Sequence, residues 1–401
     1  MNRATRLPWD IPADWPVPDA AALAVSAALV EHIRAEIAAA GGWIDFARYM
    51  ELALYAPGLG YYSAGARKLG GQGDFTTAPE TSALFSRCVA RSCEAVLTRL
   101  GGGDVLEVGA GSGVMAADLL RELEARGSLP ENYFILERSA DLRERQRMYL
   151  TQRLPHLGAR IRWLDRAPAQ AWRGVLVANE VLDALPVTLF GWRPDAVTEY
   201  GVVWDRDRFA WAARPAAPVP AGRIAAWAAA CRWDADYRSE FTPSLAAWLE
   251  VLTENLAAGA ALFIDYGYPR HEYYHADRRR GTLLCHYRHR AHPDPLVLPG
   301  LQDITAHVDF TAVAEAADAL GLRIGGFTPQ AQYLLHAGIE AMLAAAFPQT
   351  GGHGEYLQLA AQAKTLLLPG EMGERFKAML LLRGVEGDIA GFGGRDLRDR
   401  L

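Results

Sequence analysis

The chain has 401 residues, 51% of them hydrophobic and 22% charged, with a formal net charge of -6. That is an ordinary globular balance with ample material for a core, in one large domain with insertions or in two to three smaller ones. The negative balance, without a basic stripe, excludes general nucleic-acid binding by bulk electrostatics, and no run of about 18 apolar residues exists that would span a membrane as a helix. The start, MNRATRLPWDIPADWPVPDA, holds prolines and three aspartates and no apolar stretch behind a basic start, so no signal peptide is expected. Cys88, Cys93, Cys231 and Cys285 lie far apart without CxxC pairing, which suits a reducing compartment. A cytoplasmic protein is expected.

Residues 20–40 read as an Ala-rich helix closed by Gly41-Gly42, and Phe46 to Tyr55 as a second helix ending at Ala56-Pro57-Gly58. A Gly-rich loop, GLGYYSAGARKLGGQGDFTTAP, precedes a helix from about Glu80 to Leu100. From residue 101 short apolar strands alternate with amphipathic helices. The strands are Val105–Val108, Tyr133–Leu136, Arg160–Leu164, Val175–Ala178, Ala261–Ile264, Arg323–Phe327 and Phe376–Leu381; helices fall at Met115–Arg126, Asp141–Leu154 and 309–320. Such alternation predicts an α/β fold with a doubly wound, Rossmann-like sheet. The expected division is an N-terminal helical segment over 1–100 with a Gly-rich lid loop, then a core over 101–401. Insertions at about 191–245, 268–307 and 330–372 interrupt that core, and the first reads as β-hairpins.

LEVGAGSGV at 106–114 is the most informative local motif. Glycine lets the backbone turn sharply after a strand and approach a ligand closely. The spacing is Gly109-x-Gly111-x-Gly113 with Glu107 inside the strand, and position 114 is Val where a dinucleotide loop reads Gly. No Lys-Ser/Thr follows, as a P-loop needs. The E-x-G-x-G-x-G form is similar to the first motif of S-adenosylmethionine-dependent methyltransferases. Glu137, at the tip of the second strand, suits ribose hydroxyls of that cofactor or of NAD, and a solvated acid at a helix start is the bland alternative.

Further stretches, in order along the chain, are YMELALYAPGLGYYS (49–63), GDFTTAPE (73–80), ANEVLDALP (178–186), IDYGY (264–268), DITAHVDF (303–310) and EMGERFKAMLL (371–381). With the glycine motif they resemble the MidA family of methyltransferases, related to the mitochondrial complex I assembly factor that methylates an arginine. GTLLCHYRHRAHPDPLVLPGLQDITAHVDF resembles the bacterial branch. The sequence departs from that pattern at Thr81-Ser82-Ala83, Phe85-Ser86-Arg87 and the loop Gly109-Ala110-Gly111-Ser112-Gly113. The resemblance implies a class I methyltransferase fold of seven strands and S-adenosylmethionine as cofactor. It also implies a protein acceptor carrying a target arginine, in a subunit of the respiratory NADH dehydrogenase. Gly73, Asp74, Phe75, Thr76 and Pro79 are candidate cofactor contacts in a lid beside Glu107, Gly109, Gly111, Gly113 and Glu137.

In VANEVLDALP an apolar strand stops at Asn179-Glu180 and a second acid, Asp183, follows. Open parallel sheets bind ligands outside the carboxyl ends of their strands. A guanidinium stays protonated, with a pKa above about 12, and a carboxylate forks onto its N–H groups. Glu180 is thus the first candidate for the acceptor clamp, Asp183 the second as partner or proton acceptor, and Asn179 an orienting group. Asp183 as a turn cap and Glu180 as a partner of an arginine are the structural alternatives. His307 is a candidate proton acceptor and Asp309 a helix cap. His286, His289 and His292 lie among arginines without a Cys or carboxylate at ligand spacing, which favours a loop over a metal site. The competing functions are a non-catalytic assembly factor that retains the fold and an NAD-dependent oxidoreductase.

Overall fold

The computed structural model describes residues 15–64, 76–234, 236–347 and 353–401. Its centre is a seven-stranded sheet: β1 (Asp104–Val108), β2 (Tyr133–Leu136), β3 (Ile161–Leu164), β4 (Trp172–Asn179), β5 (Leu256–Tyr268), β6 (Arg323–Pro329) and β7 (Phe376–Arg383). The spatial order is 3-2-1-4-5-7-6. Neighbours from β3 to β5 run parallel, and β7 runs antiparallel to both β5 and β6. Order reverses between β1 and β4, the place where open sheets of this kind hold ligands. A further pair, Val308–Asp309, adds in parallel to the end of β5 at Gly267 and Tyr268.

Both faces of the sheet are covered, which explains the near-continuous apolar runs of its strands. Alternate residues face opposite ways. Val175 and Val177 join one core with Val105, Leu262 and Leu380, whereas Leu176 and Ala178 join the other with Leu106, Phe263 and Leu381. Against the first face lie α3 (Ala83–Leu100), α4 (Val114–Ala125) and, from the third insertion, Tyr333, Leu334, Ile339, Met342 and Leu366. The third insertion therefore covers the core, and none of its described residues reaches the ligand edge.

At the N-terminal end, α1 (Ala20–Ala39) starts at Asp19, whose side chain accepts from the Ala22 N–H at 2.8 Å. It closes through the Gly42 N–H to the Ile37 carbonyl at 2.8 Å, with Gly41 at φ 78°, a glycine C-cap. Next, α2 (Phe46–Tyr55) is capped by Asp45 on the Arg48 N–H at 2.9 Å. Ile44–Asp45 pairs antiparallel with Ala196–Asp205 of the first insertion, so the N-terminal segment and that insertion share one sheet.

The helix expected from Glu80 is divided. Ala78–Thr81 forms a single turn, and Ser82 (φ -160°, ψ 137°) leaves the helical region and caps α3 through the Leu84 N–H. Serine favours this cap because its hydroxyl satisfies an orphan N–H. Ala78 begins this turn, so its N–H has no helical partner, and it donates to Glu180 at the ligand edge of the sheet.

Candidate active site

The carboxyl edge of the sheet opens onto a cleft of about 900 Å³. One wall is the glycine loop after β1 and the tip of β2; the facing wall is the turn after β4, with Tyr55 and Tyr62 from the N-terminal segment and Thr282, Asp303, Thr305 and His307 from the second insertion. Thr76, Thr77, Pro79 and Glu80 border both. Gly73, Asp74 and Phe75 lie outside the described residues.

On the first wall, Gly109, Gly111 and Gly113 take φ of 69°, 54° and 84°, the left-handed region open to glycine at little cost. A Cβ at Gly109 would meet Val181 Cγ2 at 3.1 Å. Glu107 is fully buried; the Tyr133 hydroxyl donates to one oxygen at 2.6 Å and the other oxygen, Oε1, has no partner. Burial pushes the Glu107 carboxyl up to about 7 against that hydrogen bond. Glu137 accepts from the Ser139 N–H at 2.9 Å and from Gln146 Nε2 at 3.2 Å. Burial raises its pKa and these donors oppose the rise.

Gln146 is the hub of this wall. Its Nε2 also donates to the Gly111 carbonyl at 2.9 Å, and its Oε1 accepts from Trp163 Nε1 at 2.9 Å. One amide thus ties the loop, the tip of β2 and β3 together. Opposite, the Ser112 hydroxyl donates to Glu80 in a short hydrogen bond, which joins the glycine loop to the turn before α3.

On the second wall, Glu180 has φ 52°, unusual for a residue with a long side chain and typical of strain held at functional positions. Its N–H donates to the Ile264 carbonyl at 2.9 Å. Its Oε1 accepts from the Ala78 N–H at 3.3 Å and from Asn179 Nδ2 at 3.1 Å. Burial, and then the nearby Asp183 carboxylate, push Glu180 up to about 8. Asp183 is 5% exposed; it accepts a short hydrogen bond from the Tyr266 hydroxyl, and its other oxygen has no partner. Burial raises it to about 6. Asn179 Oδ1 is likewise buried and unpartnered.

Asp265 underlies this turn. Its Oδ2 accepts from the N–H groups of Val181, Leu182 and Asp183 at 3.1, 2.9 and 3.3 Å, and its Oδ1 from Tyr266 N at 2.9 Å. Burial and the neighbouring carboxylates raise its pKa, and the N–H donors oppose them. Asp183 is therefore not the cap of its own turn; Asp265 is. This leaves Asp183 facing the cleft. At the far side, Tyr62 donates to Asp303 at 2.9 Å, stacks on Tyr55 at 5.6 Å, and Tyr55 donates to the Ala184 carbonyl at 2.9 Å.

His307 lines the same wall between Tyr266 and Tyr268, with ring centroids at 5.2 and 5.4 Å. Burial and the cations Arg278, Lys377 and Arg375 push it down to about 4, so the ring is neutral near pH 7 and holds a further proton weakly. Asp309 caps the helix Phe310–Ala319 through Thr311 and Ala312 N–H and pairs with Arg270 at 3.0 Å. Of the histidines in HYRHRAHP, His286 borders the cleft and His292 packs on Trp15 at 4.4 Å. Among the described residues no His, Cys, Asp and Glu group forms a metal cage. Ala83 is exposed and Arg87 pairs with Glu122 at 2.7 Å, both away from the cleft.

A family model for S-adenosyl-L-methionine-dependent methyltransferases matches residues 88–328, more than half of the chain. The chain belongs to this MidA-like methyltransferase family. A crystal structure of a COG1565 superfamily member from Burkholderia thailandensis, bound to S-adenosyl-homocysteine, is similar over 97% of this chain and 100% of its own, with 46% identity and a TM-score of 0.92. Protein arginine methyltransferase NDUFAF7 of Rattus norvegicus is 28% identical across 92% of this chain and 87% of its own length. The Homo sapiens protein of that name is 29% identical across 88% and 83%.

The first wall fits the family's cofactor, S-adenosylmethionine. The unpartnered Glu107 oxygen asks for a donor such as an ammonium, the left-handed glycines hold a space that a side chain would enter, and Glu137 offers carboxylate oxygens at the tip of β2. Sequence reasoning missed Gln146, Asp265 and Tyr266 as members of the site. IDYGY pointed to the last two as a motif, but only the structure shows what they hold: Asp265 the turn after β4 and Tyr266 the Asp183 carboxylate. Gln146 gave no signal, since a glutamine within DLRERQRMYL reads as a solvated helix face.

Proposed function

We propose that this methyltransferase transfers a methyl group to an arginine nitrogen of a protein, and that the acceptor, as the family resemblance implies, is a subunit of the respiratory NADH dehydrogenase. One observation carries the arginine reading. The acceptor wall is rich in oxygen and poor in donors: Glu180 receives two weak donors, and the buried Asn179 Oδ1 and Asp183 Oδ1 receive none. A buried acceptor left without a donor costs about 1–3 kcal/mol. A guanidinium brings five N–H groups in a planar fork and would satisfy these oxygens together. The arginine specificity named for the relatives supports the same acceptor.

When bound, S-adenosylmethionine supplies an activated methyl on its sulfonium sulfur. Gly109, Gly111 and Gly113 would hold it by backbone, Glu137 its ribose and Glu107 its ammonium. Thr76 and Pro79 would close over it. Glu180 would fork onto the acceptor guanidinium, hold it planar and localise positive charge away from the attacking nitrogen. Asn179 would orient the same group, and Asp183 would take the proton that the substituted nitrogen releases. Fixing the nitrogen in line with the methyl is the main contribution such a site makes. The neutral His307 ring would pack beside the acceptor without competing for its charge.

The test is transfer of labelled methyl from S-adenosylmethionine into a lysate of cells lacking this protein, followed by mass spectrometry of the labelled peptide. The reading expects methyl on a guanidino nitrogen. Label confined to lysine, to a carboxylate or to small molecules would overturn it, and binding of the cofactor with no label transferred would favour a non-catalytic factor.

A further inference from the structure

Behind the acceptor wall lies a second, smaller cavity of about 240 Å³, bordered by Tyr268, Glu272, Arg375, Lys377, Arg395 and Arg400. The first residues of β7 separate it from the cleft. Successive side chains of a strand point to opposite faces. Phe376 accordingly borders the cleft, Lys377 borders the smaller cavity, and Arg375, just before the strand, borders both.

The cavity is a mirror image of the acceptor wall in charge. Arg400 is paired with Glu272 at 3.1 Å and Arg395 with Glu374 at 3.5 Å. Arg375 and Lys377 have no carboxylate within 4.0 Å among the described residues. Lys377 is 5% exposed, and its ammonium donates only to the backbone carbonyls of Glu374 and Arg375. Tyr268 lies between Arg278, 3.8 Å from its ring centroid, and Lys377 Nζ at 5.3 Å. Burial pushes Lys377 down to about 8 despite the pull of Glu374 and Glu272. Buried charges in proteins are as a rule paired; Lys377 is buried without an anion, and the exposed Arg375 beside it adds a second cation at the mouth of the cavity.

We propose that this cavity is a subsite for a carboxylate side chain of the methyl-accepting protein, an Asp or Glu near in sequence to the residue that enters the cleft. The inference rests on a protein as acceptor. The volume admits a side-chain carboxylate and not a nucleotide. Arg375 touches both cavities, so one extended peptide passing it presents its acceptor residue to the Glu180 side and an acid to the Lys377 side. The fixed acids Glu272 and Glu374 in the rim favour a single negative charge over a dianion. The subsite supplies specificity: it selects which arginine is positioned, without touching the reacting atoms.

The experiment uses the full chain with S-adenosylhomocysteine and fluorescent nonapeptides. Each carries arginine or norleucine at its centre and Glu or Gln at one of the positions one to four residues away on either side. The proposal expects one spacing at which Glu binds about tenfold more tightly than Gln, as a charge-assisted pair gives, with the preference kept when norleucine replaces arginine. Lys377→Met removes the preference. Arg395→Gln, at a half-exposed position that leaves folding intact, weakens it, and unchanged stabilisation by S-adenosylhomocysteine certifies both variants. Equal binding of Glu and Gln at every spacing, or an undiminished preference in folded Lys377→Met, would overturn it. Phosphoserine binding tenfold tighter than Glu at that position would reassign the ligand to a phosphorylated residue and so overturn the carboxylate. Arginine methylation without a Glu preference would remove the subsite and leave the arginine reading; a Glu preference without arginine methylation would do the reverse.

Discussion

The two walls of the cleft are both built from carboxylates, and they treat them differently. On the cofactor wall, Glu137 is held by a backbone N–H and by Gln146, while Glu107 takes the Tyr133 hydroxyl. That wall is a more nearly complete network, with one Glu107 oxygen left over and burial raising both acids. On the acceptor wall Glu180, Asp183 and Asp265 crowd together, the turn donors go to Asp265, and Glu180 and Asp183 are held above their ordinary range. A satisfied network fixes geometry, whereas an unsatisfied one waits for charge. This contrast supports the proposed division, with the cofactor on the first wall and a cationic acceptor on the second.

The two walls should separate most clearly at Glu180. Glu180→Gln should lower kcat/KM for the protein acceptor by about 10²- to 10³-fold, the loss typical of one preorganised electrostatic contact, while S-adenosylhomocysteine still raises the melting temperature. Equal losses of transfer and cofactor binding would show that the walls are not separable. Gly109→Val should do the opposite and abolish cofactor stabilisation, since its side chain enters the space near Val181 and its left-handed φ costs about 1–2 kcal/mol for a residue with a Cβ. Gln146→Ala should weaken cofactor binding about tenfold, in line with losing hydrogen bonds worth ~1 kcal/mol each, and isothermal calorimetry reads it directly.

The smallest effect concerns stability. The folded Glu107 carboxyl holds its proton up to about 7, higher than an unfolded glutamate does at about 4.3. The folded state thus binds more protons between these values, and stability falls as pH rises through that window. Glu107→Gln keeps the Tyr133 contact and removes the titration. The free protein should therefore melt higher at pH 8, by about 2 °C for each ~1 kcal/mol recovered, and unchanged at pH 4. A variant that melts lower at pH 8 would mean that the charged carboxylate stabilises the fold.

The sheet was legible because its strands are covered on both faces and so stand out as apolar runs, from Val105–Val108 to Phe376–Leu381. The glycine loop was legible because its φ values demand glycine. The break at Ser82 was not, since serine inside an apolar helix and serine at a cap look alike until its backbone is seen to be extended and its hydroxyl to meet the Leu84 N–H. The shared roles of Asp265 and Gln146 were hidden for a related reason: each acts across more than thirty residues, Asp265 on the turn at 181–183 and Gln146 on Gly111. The buried Lys377 read as one polar residue in a closing strand, and only the strand's alternation between two cavities gives it a task.

Proton release on acceptor binding reports whether Glu180 gives up its proton to a guanidinium. Calorimetric titration of an arginine-containing acceptor peptide into the protein with S-adenosylhomocysteine, at pH 7 in two buffers of different ionisation enthalpy, counts protons exchanged. A guanidinium that pairs with Glu180 must expel the proton which burial and Asp183 keep on that carboxyl up to about 8. Wild type should release close to one proton and Glu180→Gln markedly less. No release from wild type, or the same release from both, would contradict the acceptor wall as a carboxylate clamp for arginine.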